Sequence, residues 1–281
     1  MGDAFLKQSA PPVKNGTRYV CPVVNGRTCG MMQWGYDAAR AIATPHHAAH
    51  GAGLRYGGAL IFDGMYESIK QFGFADWSPQ MDVYLDAYVQ PGNPGYDLKH
   101  NLSRPWDAAV GDFIGLFPIA YLQRALSQGK TAGPDVEIAT TNADENILKW
   151  PHRLADGTFS RTVAGDWPGE TSTKVGSIVW GDDQTMGTVL VARMAPLFKN
   201  KEYAAEVTRQ QIGFAKRLRD PKDGLNFHGY NAKDGHDSCC KWGRANGWGM
   251  LGHAEALESM AAWPEGYPDT AANAQVKLIF Q

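Results

Sequence analysis

The chain has 281 residues, of which 43% are hydrophobic and 20% are charged, a composition typical of a globular protein that can bury a large core. A formal net charge of −2 provides no basic surface for nucleic acid or an anionic membrane, and no apolar run is long enough to span a bilayer. The first residues lack the apolar core of a signal peptide. We therefore expect a cytoplasmic protein, or a secreted one if the natural N-terminus is missing.

Helical periodicity dominates the chain, and its apolar stripes start after capping residues or prolines. The predicted helices, in chain order, are a pair within 34–75, then 78–89, 106–126, 134–150, 182–198, 201–218 and 243–260. Only residues 17–24 (TRYVCPVV) have a clear strand pattern. The sequence therefore predicts an all-α fold.

The stripes also identify the residues that should face the core. They are Met81, Leu85 and Tyr88; Val110, Ile114, Phe117 and Tyr121; Met186, Leu190 and either Met194 or Leu197; Tyr203, Val207, Phe214 and Leu218; and Met250, Leu251, Ala254 and Leu257. Pro118 falls inside the helix predicted at 106–126, where it predicts a kink.

Long loops rich in Gly, Pro and Asp occupy residues 91–106, 155–181 and 220–241, whereas other helices follow one another closely. Long loops within a compact domain are usually functional. An alternation of short and long connections suits stacked helical hairpins that carry all their long loops at one end.

Polar residues stand at the helix starts that follow these loops. Asp107 begins one helix, the Asp182–Asp183 pair begins another, and Arg244 and Trp248 lie at the start of a third. In a ring of antiparallel hairpins these starts meet at the same end. We therefore expect these side chains in one site.

The adjacent carboxylates in WGDDQTMG allow two interpretations. An Asp at a helix start commonly caps the helix by accepting backbone N–H bonds, and the helix dipole favours its anion. Alternatively, two close carboxylates cannot both ionise freely, so one could serve as a general acid. The pattern weights the two interpretations of Asp182 and Asp183 equally. Taken alone, Asp107 is interpreted as a cap and His228 as a hydrogen-bonded structural residue.

Arg244 and Trp248 lie four residues apart and therefore share one helix face. They could be a core tryptophan covered by an arginine stem, or a guanidinium for a substrate carboxylate beside a ring for a sugar. Gly243, Gly247 and Gly249 favour the second interpretation. Each weakens the helix by roughly 1 kcal/mol relative to Ala and leaves space around its start.

Other chemistries find no support in the motifs. The sequence has no GxSxG, P-loop or HExxH pattern, and no GxGxxG that leads from a strand into a helix. Cys239 and Cys240 lack the CxxC spacing of a zinc site, and His46, His47 and His50 have no accompanying carboxylate or cysteine pattern. We therefore expect no metal and no cofactor.

Two blocks of the sequence resemble a group of known enzymes. WGDDQTMGTVLVARMA and HGYN…KWGRANGWGMLGHAEAL resemble glycoside hydrolase family 105, the unsaturated rhamnogalacturonyl hydrolases, and the related family 88, the unsaturated glucuronyl hydrolases. DAAVGDFIGLFPIAYL and DGTFSR occur in the order that this resemblance requires. WGRANGW is its most specific part.

The resemblance implies an (α/α)6 barrel of antiparallel helix hairpins with its site at one end. We assign the barrel to residues 34–281 and a partly irregular extension to 1–33. The resemblance implies that Asp182 and Asp107 are the catalytic residues, with Asp182 as the general acid/base and Asp107 as a second acidic residue near the substrate. The predicted substrate-binding residues are His228, Arg244, Trp248, Trp242, Arg161 and Asp183.

The implied substrates are short oligosaccharides that end in a Δ4,5-unsaturated uronic acid. The implied reaction is hydration of the C4=C5 double bond, in which Asp182 protonates C4 and water adds at C5, without a metal. No nucleic acid or membrane partner is expected, and the sequence leaves the oligomeric state open.

The sequence departs from the family pattern at two places. Arg161 stands where the family often has a histidine, which could change the sugar accepted beside the uronate. The WGRANGW helix is followed by a short segment only, so we expect a barrel that could be incomplete at its C-terminus. A non-catalytic carbohydrate-binding barrel, and another α/α-barrel glycosidase or lyase, stay open as alternatives.

Overall fold

The computed structural model describes residues 13–15, 18–20, 56–72, 78–91, 116–161, 178–263 and 265–279. Helices predominate in these ranges, and the prediction of an all-α fold is confirmed. None of the described helices is both long enough and apolar enough to traverse a bilayer. Asp107, the three histidines at 46, 47 and 50, and the first part of the helix predicted at 106–126 lie outside the described residues.

The described helices and strands follow in chain order. The helices are α1 (Tyr56–Phe72), α2 (Ser78–Tyr88), α3 (Phe117–Ser127), α4 (Pro134–Thr141), α5 (Asp183–Met186), α6 (Val189–Phe198), α7 (Lys201–Leu218), α8 (Gly243–Ala261) and α9 (Thr270–Ile279). A π-helix at Asn142–Leu148 continues α4. The strands are β1 (Val13–Asn15), β2 (Arg18–Val20), β3 (Ile178–Trp180), β4 (Gly229–Asn231) and β5 (His236–Asp237). β1 pairs with β2, and β3, β4 and β5 form an antiparallel sheet in that order.

Several predicted helices agree closely with the observed ones. α7 has the predicted bounds, because Asn200 caps its first turn by accepting from the N–H groups of Glu202 and Tyr203. The helix predicted at 182–198 is interrupted between α5 and α6. Neither the three-stranded sheet nor α9 was predicted. The strands of that sheet are too short to show an alternating pattern.

The predicted kink at Pro118 stays a prediction, because the part of the predicted helix before residue 116 lies outside the described residues. Pro118 lies in the first turn of α3. Its missing N–H has no intrahelical partner at that position, so the proline is compatible with a regular helix start.

The predicted inward stripe of α8 is wrong for Met250 and Leu251, whereas Leu257 is partly buried and packs against the core. Met250 and Leu251 are 68% and 36% exposed. The buried face of α8 carries small residues instead, because this helix packs closely against α5. Its buried small residues include Ala245, Gly249, Gly252 and Ala256.

The apolar side chains form two main clusters. The larger one joins α3, α4, α6, α7, α8 and α9, and it contains the predicted residues Leu190, Val207 and Phe214. The smaller one joins α1, α2 and α3 through residues that include the predicted Leu85 and Tyr121. Met194 is buried and Leu197 is exposed, so Met194 is the one of the two that faces the core.

A group of charged side chains connects three helices. Arg193 of α6 donates to Asp63 of α1 over 2.5 Å and to Glu255 of α8 over 2.9 Å. Gln123 of α3 also donates to Asp63, over 2.9 Å. All three charged side chains are largely buried. The group therefore links helices that are distant in the sequence.

Arg193→Met should lower the free energy of unfolding by roughly 3 kcal/mol, because it leaves two partly buried carboxylates without their shared partner. Urea unfolding followed by circular dichroism measures this change. Lys149→Met is the matched control. It removes an exposed pair with Glu145 and should change the free energy of unfolding by less than about 1 kcal/mol. Equal effects would show that the Arg193 group does not hold the helices together.

Candidate active site

Three separate chain segments converge at the start of α5. In the β3–β4 pair, Trp180 lies opposite Gly229. The Gly181 N–H donates to the His228 carbonyl over 2.8 Å, and the His228 N–H donates to the Cys240 carbonyl over 3.0 Å. These bonds bring the end of β3, the residue before β4 and the loop before α8 to one place.

Gly181 lies where these segments approach one another closely. A Cβ there would lie 3.2 Å from both the Ala245 Cβ and the His228 carbonyl oxygen. Both contacts are tighter than ordinary van der Waals contact, and one of them is with backbone. A side chain at position 181 would therefore shift Ala245 or the His228 backbone by a few tenths of an ångström.

Asp182 is the N-cap residue of α5, yet its side chain makes no capping hydrogen bond. Its Oδ1 is buried and lies 3.7 Å from Nε2 of His228, which is too long for a hydrogen bond. Within the described part of the chain, neither atom has a hydrogen-bond partner. Two buried polar atoms therefore lie side by side with their hydrogen-bonding capacity unused, an arrangement that is uncommon outside functional sites.

Asp183, unlike Asp182, forms an ion pair within the protein. Its carboxylate is almost fully buried, and both oxygens accept from Arg161, each over 2.7 Å. The Arg161 guanidinium also lies 5.4 Å from the centroid of the Trp180 ring. This fork-shaped pairing neutralises the buried charge, so the two adjacent carboxylates are not equivalent.

The segment that carries Arg161 is fixed on α7. The Arg161 N–H donates to the Ile178 carbonyl over 2.7 Å, which attaches it to β3. The Phe159 N–H donates to Gln210 over 2.8 Å, and Arg153 donates to the buried Glu206 over 2.7 Å. Arg161 therefore reaches Asp183 from a well-anchored segment.

Four side chains form a continuous row, called the aromatic stack below: Trp180, His228, Trp242 and Arg244. The His228 ring lies 4.0 Å from the Trp180 ring and 4.6 Å from the Trp242 ring, measured between centroids. The Arg244 guanidinium carbon lies 3.7 Å from the Trp242 centroid, within the range of a cation–π contact. The stack thus runs from β3 to the exposed start of α8.

Asn246 connects α8 to the loop that precedes it. Its Nδ2 donates to the carbonyls of Asn226 and Trp242, over 2.9 and 3.1 Å, and its Oδ1 accepts from the Asn226 N–H over 2.7 Å. Sequence reasoning missed this role. The signal was an asparagine in the first turn of a helix, where its side chain readily bonds to local backbone.

Trp248 is partly buried one turn beyond Arg244 and packs against the larger core cluster. Its carbonyl accepts from the Thr185 hydroxyl, which ties α8 to α5. Arg244 itself is exposed. Its guanidinium is therefore accessible to an anionic ligand.

A buried polar network missed by sequence reasoning lies behind the site. Gln184 Nε2 donates to Gln211 over 3.0 Å and lies 2.7 Å from Nδ1 of His253. Burial lowers the pKa of His253 below its ordinary value of 6.5, so the ring is neutral at pH 7. This network joins α5, α7 and α8.

The glycines of α8 have two different functions. A Cβ at Gly243 or Gly247 would meet nothing within 4 Å, in agreement with the space predicted around the helix start. A Cβ at Gly249 would lie 2.8 Å from Asn226 Nδ2, and one at Gly252 would lie 2.7 Å from the Gln184 carbonyl oxygen. Gly252 is thus required for close packing on the α5 backbone, whereas a Cβ at Gly249 would meet the end of a flexible side chain.

Gly252→Ala should lower the free energy of unfolding by about 1–3 kcal/mol, because the new methyl group collides with backbone. Gly247→Ala, the matched control on the same helix, should raise it by up to about 1 kcal/mol through the higher helix propensity of alanine. Urea or thermal unfolding measures both. The packing argument is wrong if the two substitutions change stability in the same direction.

The sequence model of the family described as Glycosyl Hydrolase Family 88 matches residues 38–276. The chain belongs to glycosyl hydrolase family 88. Among its relatives is the unsaturated rhamnogalacturonyl hydrolase YesR of Bacillus subtilis (strain 168), which is 28% identical to this family 88 chain over 209 residues. The aligned region covers 70% of the chain and 58% of YesR, so the chain spans less than two thirds of that relative's length.

Several solved structures share this fold. A possible member of family GH105 from Klebsiella pneumoniae subsp. pneumoniae MGH 78578 superposes with a TM-score of 0.67 at 17% identity, covering 94% of this family 88 chain and 69% of its own. The unsaturated glucuronyl hydrolase of Bacillus sp. GL1 superposes with a TM-score of 0.54 at 12% identity, covering 99% and 62%. These structures are α/α barrels, so the predicted fold class is confirmed.

The predicted site residues fall into three groups. Asp182, His228, Trp242 and Arg244 lie together, with Trp248 one turn along α8. Arg161 and Asp183 pair with each other beside them. Asp107 lies outside the described residues.

The described ranges contain no group of three or more metal-binding side chains. The sulfur atoms of Cys239 and Cys240, in the loop before α8, are bonded to each other.

Proposed function

We propose that this family 88 chain is a glycoside hydrolase that removes a terminal Δ4,5-unsaturated uronic acid from short oligosaccharides by hydrating its C4=C5 double bond. The observation that carries the proposal is the buried Asp182–His228 contact at 3.7 Å, next to the aromatic stack that ends in Arg244. The names of two similar proteins support the same chemistry. YesR is an unsaturated rhamnogalacturonyl hydrolase, and the protein of Bacillus sp. GL1 is an unsaturated glucuronyl hydrolase.

The proposed acid and base are one residue, Asp182. The unsaturated sugar is a vinyl ether, so the Asp182 carboxyl group protonates C4 and positive charge develops at C5 and the ring oxygen. Water then adds at C5, and the Asp182 carboxylate accepts a proton from that water. The hemiketal that results opens and releases the neighbouring sugar. No step requires a second catalytic carboxylate.

The use of a single catalytic carboxylate distinguishes the proposed reaction from that of an ordinary glycosidase. Ordinary glycosidases place two carboxylates on either side of the scissile bond, roughly 5–9.5 Å apart. Asp183 stands next to Asp182 in the sequence, but both of its oxygens are bonded to Arg161. Asp183 therefore does not supply the second carboxylate. We keep Asp107 in the proposal as an acidic residue near the substrate.

The substrate carboxylate is assigned to Arg244. Its exposed guanidinium can donate two parallel hydrogen bonds to a carboxylate, and its contact with Trp242 restricts where it lies. Trp248 is assigned to apolar contact with the sugar ring. His228 is assigned to a hydrogen bond with the substrate or the attacking water through Nε2, the buried atom beside Asp182.

The proposal is tested with a panel of lyase-made disaccharides from rhamnogalacturonan, glucuronan-type and ulvan-type polysaccharides. At least one of them should lose the ultraviolet absorbance of its conjugated C4=C5 bond when the chain is added. Chromatography should show release of the neighbouring sugar at the same rate. Calorimetric binding without double-bond loss for every member of the panel would favour a non-catalytic carbohydrate-binding barrel instead.

Asp182→Asn should reduce kcat by roughly 10²–10⁴-fold, the usual contribution of a general acid or base. It should leave the free energy of unfolding within about 0.5 kcal/mol of wild type, because its carboxylate makes no capping bond. Retained turnover in this variant would exclude the role assigned to Asp182.

Asp183→Asn is the neighbouring control. It should lower the free energy of unfolding by roughly 2 kcal/mol, because it removes the ionic acceptor of the Arg161 guanidinium. If Asp183→Asn left stability unchanged while Asp182→Asn lowered it, the two carboxylates would have been assigned the wrong way round.

A further inference from the structure

We propose that Trp242 is a positioning residue, which fixes Arg244 for the substrate carboxylate and does not itself serve as the surface on which the sugar stacks. The sequence predicted substrate contact for Trp242. This inference rests on the proposed function, and it assigns a distinct task to each tryptophan of WGRANGW.

Two protein groups already lie against the indole ring of Trp242. The guanidinium carbon of Arg244 lies 3.7 Å from the ring centroid, and the centroid of the His228 ring lies 4.6 Å from it at an interplanar angle of 50°. A sugar stacks on an open aromatic face. Two protein groups at these distances compete with a sugar for the faces of Trp242.

Without its contact with Trp242, the Arg244 side chain would be free to adopt many rotamers. Arg244 is an exposed side chain at the start of α8, and long exposed arginines lose much rotamer entropy when they are ordered. A guanidinium held over an indole is already ordered before the ligand arrives. Such preorganisation improves affinity because less entropy is lost on binding.

Trp242 is fixed at its backbone by Asn246. Its carbonyl accepts from both the N–H and the Nδ2 of Asn246, each over 3.1 Å. Beyond His228, the aromatic stack continues to Trp180, which is buried on β3 and 4.0 Å from the His228 ring. The indole therefore connects a rigid sheet residue to the exposed guanidinium.

The test compares Trp242→Leu, which removes the aromatic faces, with Trp242→Phe, which keeps one aromatic ring. On the disaccharide that the wild type hydrolyses best, Trp242→Leu should raise KM by roughly 3- to 30-fold, the range that loss of a cation–π contact allows. Trp242→Phe should restore most of this loss. If the leucine and phenylalanine variants have the same KM as the wild type, the inference is overturned.

A double-substitution cycle separates positioning from direct contact. In an Arg244→Met background, Trp242→Leu should change KM by less than about twofold, because residues that act through one another are not additive. An undiminished effect in that background would mean that Trp242 contacts the sugar directly, which overturns the inference. Trp263→Leu serves as the structural control. Trp263 is buried after the end of α8, so its loss should lower stability and leave KM unchanged.

A second measurement distinguishes failure of this inference from failure of the proposed function. If the wild type hydrolyses none of the disaccharides, the proposed function fails. The contact between Arg244 and Trp242 can still be measured by NMR in the ligand-free protein. The Nε–H resonance of Arg244, identified by its loss in Arg244→Met, should carry a ring-current shift that disappears in Trp242→Leu. An unchanged resonance in Trp242→Leu would overturn the positioning role.

Discussion

The ion pair between Arg161 and Asp183 determines how the start of α5 is built, and the rest of the site is placed relative to it. A carboxylate with 1% of its side chain exposed is very unfavourable without a partner, and the two bonds of 2.7 Å from one guanidinium satisfy both of its oxygens. The pair also joins the segment anchored on α7 to the first residue of α5. Asp182, one residue earlier, is thereby held at the N-cap with its carboxylate unused as a cap.

Residues that look alike in the sequence have different physical tasks in the structure. One of two adjacent carboxylates is neutralised by an arginine, and the other lies beside His228. Gly247 leaves open space, whereas Gly252 allows α8 to touch the backbone of α5. In each pair, the distinction depends on a neighbour that is remote in the sequence.

The helix interior and the helix starts are stabilised by different kinds of contact. Between the helices, apolar side chains and the Arg193 group connect α1, α6 and α8. At the starts of α5 and α8, the contacts are polar and aromatic, and several depend on backbone groups of loops and short strands. This arrangement keeps the candidate site residues on the ends of rigid elements, where small changes in loop structure adjust their positions without altering the core.

Local patterns were sufficient for much of the fold. The stripe of Tyr203, Val207, Phe214 and Leu218 predicted α7 correctly, because helical periodicity acts over only a few residues. The same patterns failed on α8, where apolar residues such as Met250 are exposed and glycines are buried. Periodicity reports which face is apolar, but it does not report a contact so close that only small residues fit.

The sequence by itself determined the all-α class, most helix bounds and the group of residues at the starts of α5 and α8, because these follow from short-range spacing and from recognisable motifs. Only the tertiary structure decided that Asp183 pairs with Arg161, that Asp182 makes no capping bond, and that Trp242 lies against both His228 and Arg244. The physical reason is the distance along the chain. These partners belong to segments brought together by the pairing of β3 with β4 and by the packing of α8 on α5, which no local pattern encodes.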